Sequence, residues 1–304
     1  MTTRNTPAAV VLVLAIGMPV GAQTPAPPVL ISNSDTLSAI PTNASTSAGL
    51  AVSADERFVA FNSSATNLVV GDTNDVADVF VRDRVANITE RVSVADDGSQ
   101  ANAQSVGSVG MTADGRFVVF ASDASNLVPG DTNGVRDIFM RDRTLGTTTR
   151  LSIVPGSGVQ ANGSSLNPTI TPDGNFVAFA TNATNLLSGD TNARTDVVRR
   201  DIQGLFLSAN QVGTTQGNGN ADAPSISIGG DFVVFHSLSS NLVAGDSNGV
   251  RDVFRHNFNN RSVVRASVTQ DGSQLAAESI TFSGLSVSAE GNRVLFTTAA
   301  AAEM

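Results

Sequence analysis

An all-β fold built from one repeated unit is what this chain predicts, on three observations. One segment is written four times: NLVVGDTNDVADVFVRD at residues 67–83, NLVPGDTNGVRDIFMRD at 126–142, NLLSGDTNARTDVVRRD at 185–201 and NLVAGDSNGVRDVFRHN at 241–257. Ahead of each copy stands a short apolar run, RFVAF, RFVVF, NFVAF and DFVVF, and a fifth, NRVLF, follows the last copy. Aligned on Phe58, Phe117, Phe176, Phe232 and Arg293, these runs lie 59, 59, 56 and 61 residues apart, and a fixed period of this size marks an array of one supersecondary unit. The third observation is punctuation. Asp-Gly and related dipeptides separate the runs, and no segment carries a 3.6-residue periodicity long enough for an amphipathic helix.

The second unit shows the order of elements. Residues 108–112 read as a strand, Asp114-Gly115 as a two-residue type I′ turn with positive φ at both centres, and residues 116–121 as the next strand. The NLVPGDTNG loop follows, then a third strand at 137–141, a turn near Leu145-Gly146 and a fourth strand at 147–153. Asp173-Gly174 repeats the turn, Gly229-Gly230 and Glu290-Gly291 are tolerable variants, and Asp55-Glu56 is the poorest, so the first unit is expected to be the least regular. Runs such as FVVF are apolar on both faces, which suits a sheet packed between two neighbouring sheets. Phenylalanines at Phe58, Phe61, Phe80, Phe117, Phe120, Phe139, Phe176, Phe179, Phe232, Phe235, Phe254 and Phe296 recur at fixed points of the unit and are expected to pack between sheets.

Four-stranded antiparallel sheets stacked radially make a β-propeller; an open β-solenoid is the competitor, with shorter coils and no Asp-Gly hairpins. Four complete units and the first two strands of a fifth predict five blades, the last incomplete and completed by a strand at residues 29–32. The expected organisation is a signal peptide at 1–22, a Pro-rich linker at 23–28, the propeller at 29–298 and a tail at 299–304. Arg4, the uncharged apolar stretch 8–20 and the small residues Val20-Gly21-Ala22 carry the first of these, and the apolar run is too short for a membrane span. A periplasmic or secreted monomer is therefore expected, held together without disulfides because cysteine is absent.

All 18 basic residues are arginine, Tyr and Trp are absent and the net charge is -9. Nucleic acid is excluded as a partner, since a phosphate-tracking surface needs a basic stripe and stacking aromatics.

The order of strand, D-G, F-V-x-F, then D-[VI]-F-x-R-D and a T-T-R-like strand resembles the WD-repeat-like blades of the TolB-like superfamily of bacterial exported proteins. The resemblance runs from about residue 29 to 296. It implies a propeller that serves as a periplasmic or surface binding module. The NLxxGDTN insertion is longer than the loop usual at that point, and the N-terminal domain that accompanies the propeller in TolB has no counterpart, so the likeness is to the blade.

The repeated loop offers Asp72, Asn74 and Asp78; Asp131, Asn133 and Asp137; Asp190, Asn192 and Asp196; and Asp246, Asn248 and Asp252. Oxygen ligands at alternating positions on a tight turn suit Ca²⁺, although the bidentate Glu of an EF-hand loop is missing. The same residues also suit Asx-turns that close the loop backbone, and both readings stand. Catalysis has little support: the histidines are His236 and His256, each expected to be a packing or surface variant, and there is neither a G-x-S-x-G elbow nor a cysteine nucleophile. No cofactor other than calcium is suggested, and no catalytic residue.

The leading expectation is a non-enzymatic exported propeller that binds a protein or glycan over one face or its central funnel, with the polar segments 99–102, 159–162 and 218–222 near the opening. A calcium-dependent structural or adhesive module is the second reading. An enzyme is the weakest.

Overall fold

The structure, a computed structural model, describes residues 46–201, 206–208, 211–212, 215–275 and 284–298. The first sheet holds β1 (Thr46–Val52), β2 (Phe58–Ser63), β3 (Asp78–Asp83) and β4 (Ile88–Arg91); the second holds β5 (Ser105–Met111), β6 (Phe117–Ser122), β7 (Asp137–Asp142) and β8 (Thr147–Arg150). The third holds β9 (Ser165–Ile170), β10 (Phe176–Thr181), β11 (Asp196–Asp201) and β12 (Phe206–Ser208). After the short ribbon β13 (Gln211–Val212) and β14 (Thr215–Gln216), which no signal in the sequence announces, the fourth sheet holds β15 (Ala221–Ile226), β16 (Phe232–Ser237), β17 (Asp252–Asn257) and β18 (Ser262–Arg265). A hairpin of β19 (Ser286–Val287) and β20 (Val294–Leu295) supplies the fifth sheet. Each four-stranded sheet is an antiparallel meander in sequence order, so the fold is an all-β propeller of the expected kind. The predicted signal peptide, the linker, the completing strand at 29–32 and the tail lie outside the described residues.

Burial follows the sandwich logic of the sequence. From Val59, Val118, Val177 and Val233 onward, every residue of β2, β6, β10 and β16 is buried, and in β6 and β10 one face meets the blade before and the other the blade after. Ala60, Val79 and Val81 of the first blade pack with Val118, Phe120 and Phe139 of the second; Val119, Ala121 and Ile138 of the second pack with Val177, Phe179 and Val198 of the third. Phe61 and Phe80 stack at 5.9 Å, Phe120 and Phe139 at 6.0 Å, and Phe235 and Phe254 at 5.9 Å; in the third blade the cross-strand partner of Phe179 is Val198.

The hairpin turns differ from expectation. Gly115 has φ +71° but Asp114 is not among the positive-φ residues, and the Gly115 N–H donates to the Thr112 carbonyl at 2.9 Å while Thr112 N–H donates to Phe117 at 3.0 Å. The connection is therefore a four-residue loop ending in a left-handed glycine, not a two-residue type I′ turn. The Thr112 hydroxyl donates to Asp114 at 2.7 Å and the Arg116 N–H to the same carboxylate at 3.0 Å, which explains the aspartate. The first unit is as regular as the rest: Glu56 takes the glycine position at φ +58°, and Ser53 and Asp55 repeat the hydroxyl–carboxylate bond at 2.6 Å.

Candidate functional site

Two regions could carry function, the repeated GDTN loops and the centre of the ring. In the first blade, Arg91 ends β4 and points its guanidinium into the loop of its own unit. Its Nη1 lies 2.9 Å from Asp72, 3.2 Å from Asp78 and 2.8 Å from Gln100 Oε1. Asn74 Nδ2 donates to Asp78 at 2.8 Å and to the Ala101 carbonyl at 3.1 Å, and the Ser93 hydroxyl donates to the other Asp78 oxygen at 2.5 Å.

The second blade repeats this with Arg150, 2.8 Å from Asp131, 3.5 Å from Asp137 and 3.2 Å from Gln160, while Asn133 bonds Asp137 at 2.8 Å. In the fourth, Arg265 lies 3.5 Å from Asp246, 3.8 Å from Asp252 and 2.6 Å from Gln274, and Asn248 bonds Asp252 at 3.1 Å. These pairs are buried. Burial raises the carboxyl pKa of Asp72, Asp131, Asp137 and Asp246, opposed by the adjacent guanidinium, and in Asp137 by the hydroxyl of Ser152 before it.

In the third loop Asn192 Nδ2 donates to Asp196 at 3.3 Å and to the Gly217 carbonyl at 3.1 Å, and its N–H reaches Asp190 at 3.4 Å. The register places Ser208 opposite Val198, where the other units place arginine opposite phenylalanine.

All twelve loop residues predicted as ligands thus gather in their own units, each beside a glutamine of the following segment. Among the described residues no group of three or more His, Asp or Glu is arranged to hold a metal ion. The arginines were missed from the sequence although the signal existed: Arg91, Arg150 and Arg265 each stand 13 residues after the second aspartate of the loop.

Residues 99–102, 159–162 and 218–222, expected near the central opening, are not among the residues that line the central cavity; they buttress the loops. Gln100 Nε2 donates to Gly71 at 2.9 Å and Gln160 Nε2 to Gly130 at 2.7 Å; Asn102 N–H donates to Asn126 Oδ1 at 3.0 Å.

The centre is built by the innermost strands. Each leaves its ladder at a bulge, between Thr46 and Leu50 in β1, Ser105 and Val109 in β5, Leu166 and Thr169 in β9, and Asp222 and Ser225 in β15. Gly107, Asn167 and Ala223 turn these bulges at φ +88°, +52° and +50°, and prolines Pro168 and Pro224 fit there because a bulge has no ladder bond to lose. The bulges and Gly284-Leu285 line a cavity of about 640 Å³. Its wall is Leu50, Val106, Val109, Leu285 and the prolines, with Ser108, Asn167, Thr169 and Ser225 as polar points; among the described residues the lining has no charged side chain, histidine or aromatic ring. Asn167 is held by Asp222 at 2.8 Å and Asn62 donates to the Gly107 carbonyl at 2.6 Å, so the wall is braced from behind.

The histidines lie elsewhere. His236 is 2% exposed and His256 3%, the latter stacked on Phe258 at 4.4 Å. Burial first, then the charge of Arg251, push the His236 pKa down to about 4 against the pull of Asp222, and its Nδ1 has no hydrogen-bond partner among the described residues. A neutral, enclosed imidazole is a packing group. Of the surface and packing positions that the sequence left open for the two histidines, both take buried ones.

No protein-family model matches the chain, and no curated protein does. Among solved structures it is similar to a protein assigned as TolB from Agrobacterium tumefaciens, with TM-score 0.52 and 15% identity over 88% of this chain and 77% of that one. TolB from Acinetobacter baumannii matches with TM-score 0.48 and 16% identity over 81% of this chain; the chain spans 47% of that protein's length. An oligogalacturonate lyase in complex with manganese matches with TM-score 0.49 and 15% identity, over 80% of this chain and 56% of that one. The Agrobacterium likeness identifies the fold as a TolB-like propeller.

Proposed function

We propose that this chain is an exported, non-enzymatic propeller scaffold that receives a protein segment in its central funnel. The observation that carries this is the cavity itself. It is roomy, its wall mixes apolar side chains with hydroxyl and amide groups, and among the described residues it holds no histidine, carboxylate or amine to activate the hydroxyls of Ser108, Thr169 and Ser225. The lack of an aromatic platform favours a polypeptide over a glycan, because sugar faces are gripped by stacking on rings. The loops of the first, second and fourth units serve as structural clamps, in which an arginine closes two carboxylates. Export rests on the Arg4 start, the apolar stretch and the Val20-Gly21-Ala22 site.

The test is affinity capture from a cell-envelope extract by the protein lacking residues 1–22, run beside Ser108→Trp, which fills the funnel from a solvent-facing position. A partner retained by the parent and lost by Ser108→Trp supports the proposal; equal capture by both places binding on another face. Binding to a glycan array that Ser108→Trp abolishes would replace protein by glycan. Mass spectrometry of the exported protein is expected to begin at Gln23, and retention of Met1 would remove export.

A further inference from the structure

We infer that the ring is latched at the seam between the fifth and first blades by an ion pair of Arg293 with Glu56, and that releasing this latch opens the funnel wall sideways. The inference concerns the seam and does not rest on what the funnel receives. Each of the four seams between consecutive blades joins one ring to one glycine: Phe58 with Gly115, Phe117 with Gly174, Phe176 with Gly230 and Phe232 with Gly291. The ring belongs to the earlier blade and the left-handed glycine to the turn of the next. In a circle of five blades the remaining pair is position 293 with position 56. Backbone bonds establish the equivalence: the Arg293 carbonyl accepts the Ser288 N–H at 2.9 Å as that of Phe117 accepts Thr112 at 3.0 Å, and the Glu56 N–H donates to Ser53 at 2.9 Å as Gly115 does to Thr112. At this seam alone, aromatic and glycine are replaced by arginine and glutamate.

Loss of the ring explains why a Cβ is tolerated at position 56. It does not explain a carboxylate facing a guanidinium, nor a glutamate at φ +58°, a region that side chains other than glycine, Asn and Asp rarely enter. The Cβ built on Gly115 lies 3.1 Å from that of Phe58, so side chains at these two positions start side by side, within reach of an ion pair. Arg84 donates to the Glu56 carbonyl at 2.9 Å, as Arg143 does to Gly115, and brings a second guanidinium toward the same carboxylate.

In this structure the seam stands unlatched. Glu56 and Arg293 are both exposed, and neither makes an ion pair among the described residues. The apolar faces behind them are open as well. Val52 is 47% exposed and Leu295 58%, whereas their counterparts Met111 and Ile170 are 8% and 7% exposed and Val119 is fully buried. Register fixes these counterparts, since Val287 pairs with Val294 and Ser286 with Leu295 as Met111 pairs with Val118 and Gly110 with Val119. Between the second and third blades, Val119 and Ile170 share one core cluster; Leu295 and Val52 are the pair that would do so here. Leu50 and Leu285, from the two sides of the seam, both line the funnel, so closure decides whether its wall is continuous. An exposed ion pair shifts such an equilibrium by a factor of about two to five and is screened by salt, while contact of Val52 with Leu295 adds an attraction that salt does not screen.

The experiment uses the full chain, which has no cysteine of its own, carrying Val52→Cys and Leu295→Cys, one thiol on each side of the seam. Mild oxidation is expected to give a disulfide within the chain, identified by mass spectrometry, at least twofold faster at low salt than at about 500 mM NaCl. Adding Glu56→Arg should slow it at least threefold at low salt. Adding Glu56→Gly with Arg293→Phe, which installs the pair of the other seams, should restore the rate and remove its salt dependence. Should the cysteine variant fail to fold, hydrogen exchange of the wild type decides: protection of β1 and β20 is expected to fall at high salt while that of β6 does not. Disulfides formed only between chains, a rate indifferent to Glu56→Arg, or protection of β1 and β20 unmoved by salt overturns the inference.

Discussion

Gly115 of the second blade lies against Phe58 of the first: a Cβ built on this glycine would stand 2.9 Å from the ring's Cγ, inside any real contact. The Arg143 guanidinium covers the same ring at 4.3 Å and also bonds the Gly115 carbonyl. The relation recurs as Gly230 with Phe176 and Gly291 with Phe232, where Arg199 and Arg255 each donate to the glycine carbonyl at 2.7 Å. The glycine thus serves both its own turn, through φ +71°, and the interface between blades.

Two substitutions separate those roles. Gly98→Ala, at φ +82° with nothing within 4 Å of the added Cβ, is expected to cost about 1 kcal/mol from backbone strain. Gly115→Ala should cost a further 1–3 kcal/mol, roughly, because the methyl displaces the Phe58 ring. Equal losses in urea denaturation would show that the ring contact adds nothing.

Phe120 and Phe179 are fully enclosed between blades. Phe120→Ala and Phe179→Ala are each expected to destabilise by about 3–5 kcal/mol. Denaturant melts with losses below about 1 kcal/mol would contradict this packing.

Arg150 is 8% exposed and faces Asp131 and Asp137, exposed 4% and 0%. Arg150→Met leaves two buried carboxylates together, at a cost of about 3–5 kcal/mol near neutral pH. Burial already raises both carboxyl pKa values, and removing the guanidinium raises them more. The loss should therefore shrink as pH falls into the carboxylate range and both groups take protons. Adding Asp131→Asn should recover part of the stability. A loss independent of pH would mean that Arg150 acts through packing alone.

His236 predicts a pH effect of opposite sign. With its pKa held at about 4 in the fold and 6.5 when unfolded, the unfolded chain binds the extra proton between those values. Stability contributed by the neutral imidazole is full above about pH 6.5 and lost as pH falls toward 4, on the order of 3 kcal/mol in all. His236→Ala places at this position the residue that Ala121 and Ala180 supply in the second and third blades. Its stability should fall less between pH 6.5 and 4 than that of the parent. Parallel pH profiles for the two proteins would refute the assignment.

Much of the architecture could be read directly because it is local and repeated. A doubly apolar run such as FVVF can be satisfied only between two sheets, a left-handed position calls for glycine, and a fixed period forces a stack of like units. The turn was misjudged for a local reason as well. Asp-Gly suits a type I′ turn, but here the aspartate caps a longer loop through the hydroxyl of Thr112, two residues before it. Asp55-Glu56 then succeeds without glycine because the same capping bond, from Ser53, holds it.

The site was legible in residue identity and opaque in partnership. The sequence alone determined that Asp131, Asn133 and Asp137 share one loop. That a guanidinium, rather than an ion from solution, stands between the two aspartates was decided by antiparallel register, which brings Arg150 opposite Phe139 and over the loop, and which brings Ser208 to the same place in the third blade. The funnel was decided later still. Its wall is the set of bulges that appears when five inner strands converge on one axis, and no single unit contains it. Charge neutralisation and cavity shape depend on groups distant in the chain, whereas strand, turn and repeat depend on neighbours.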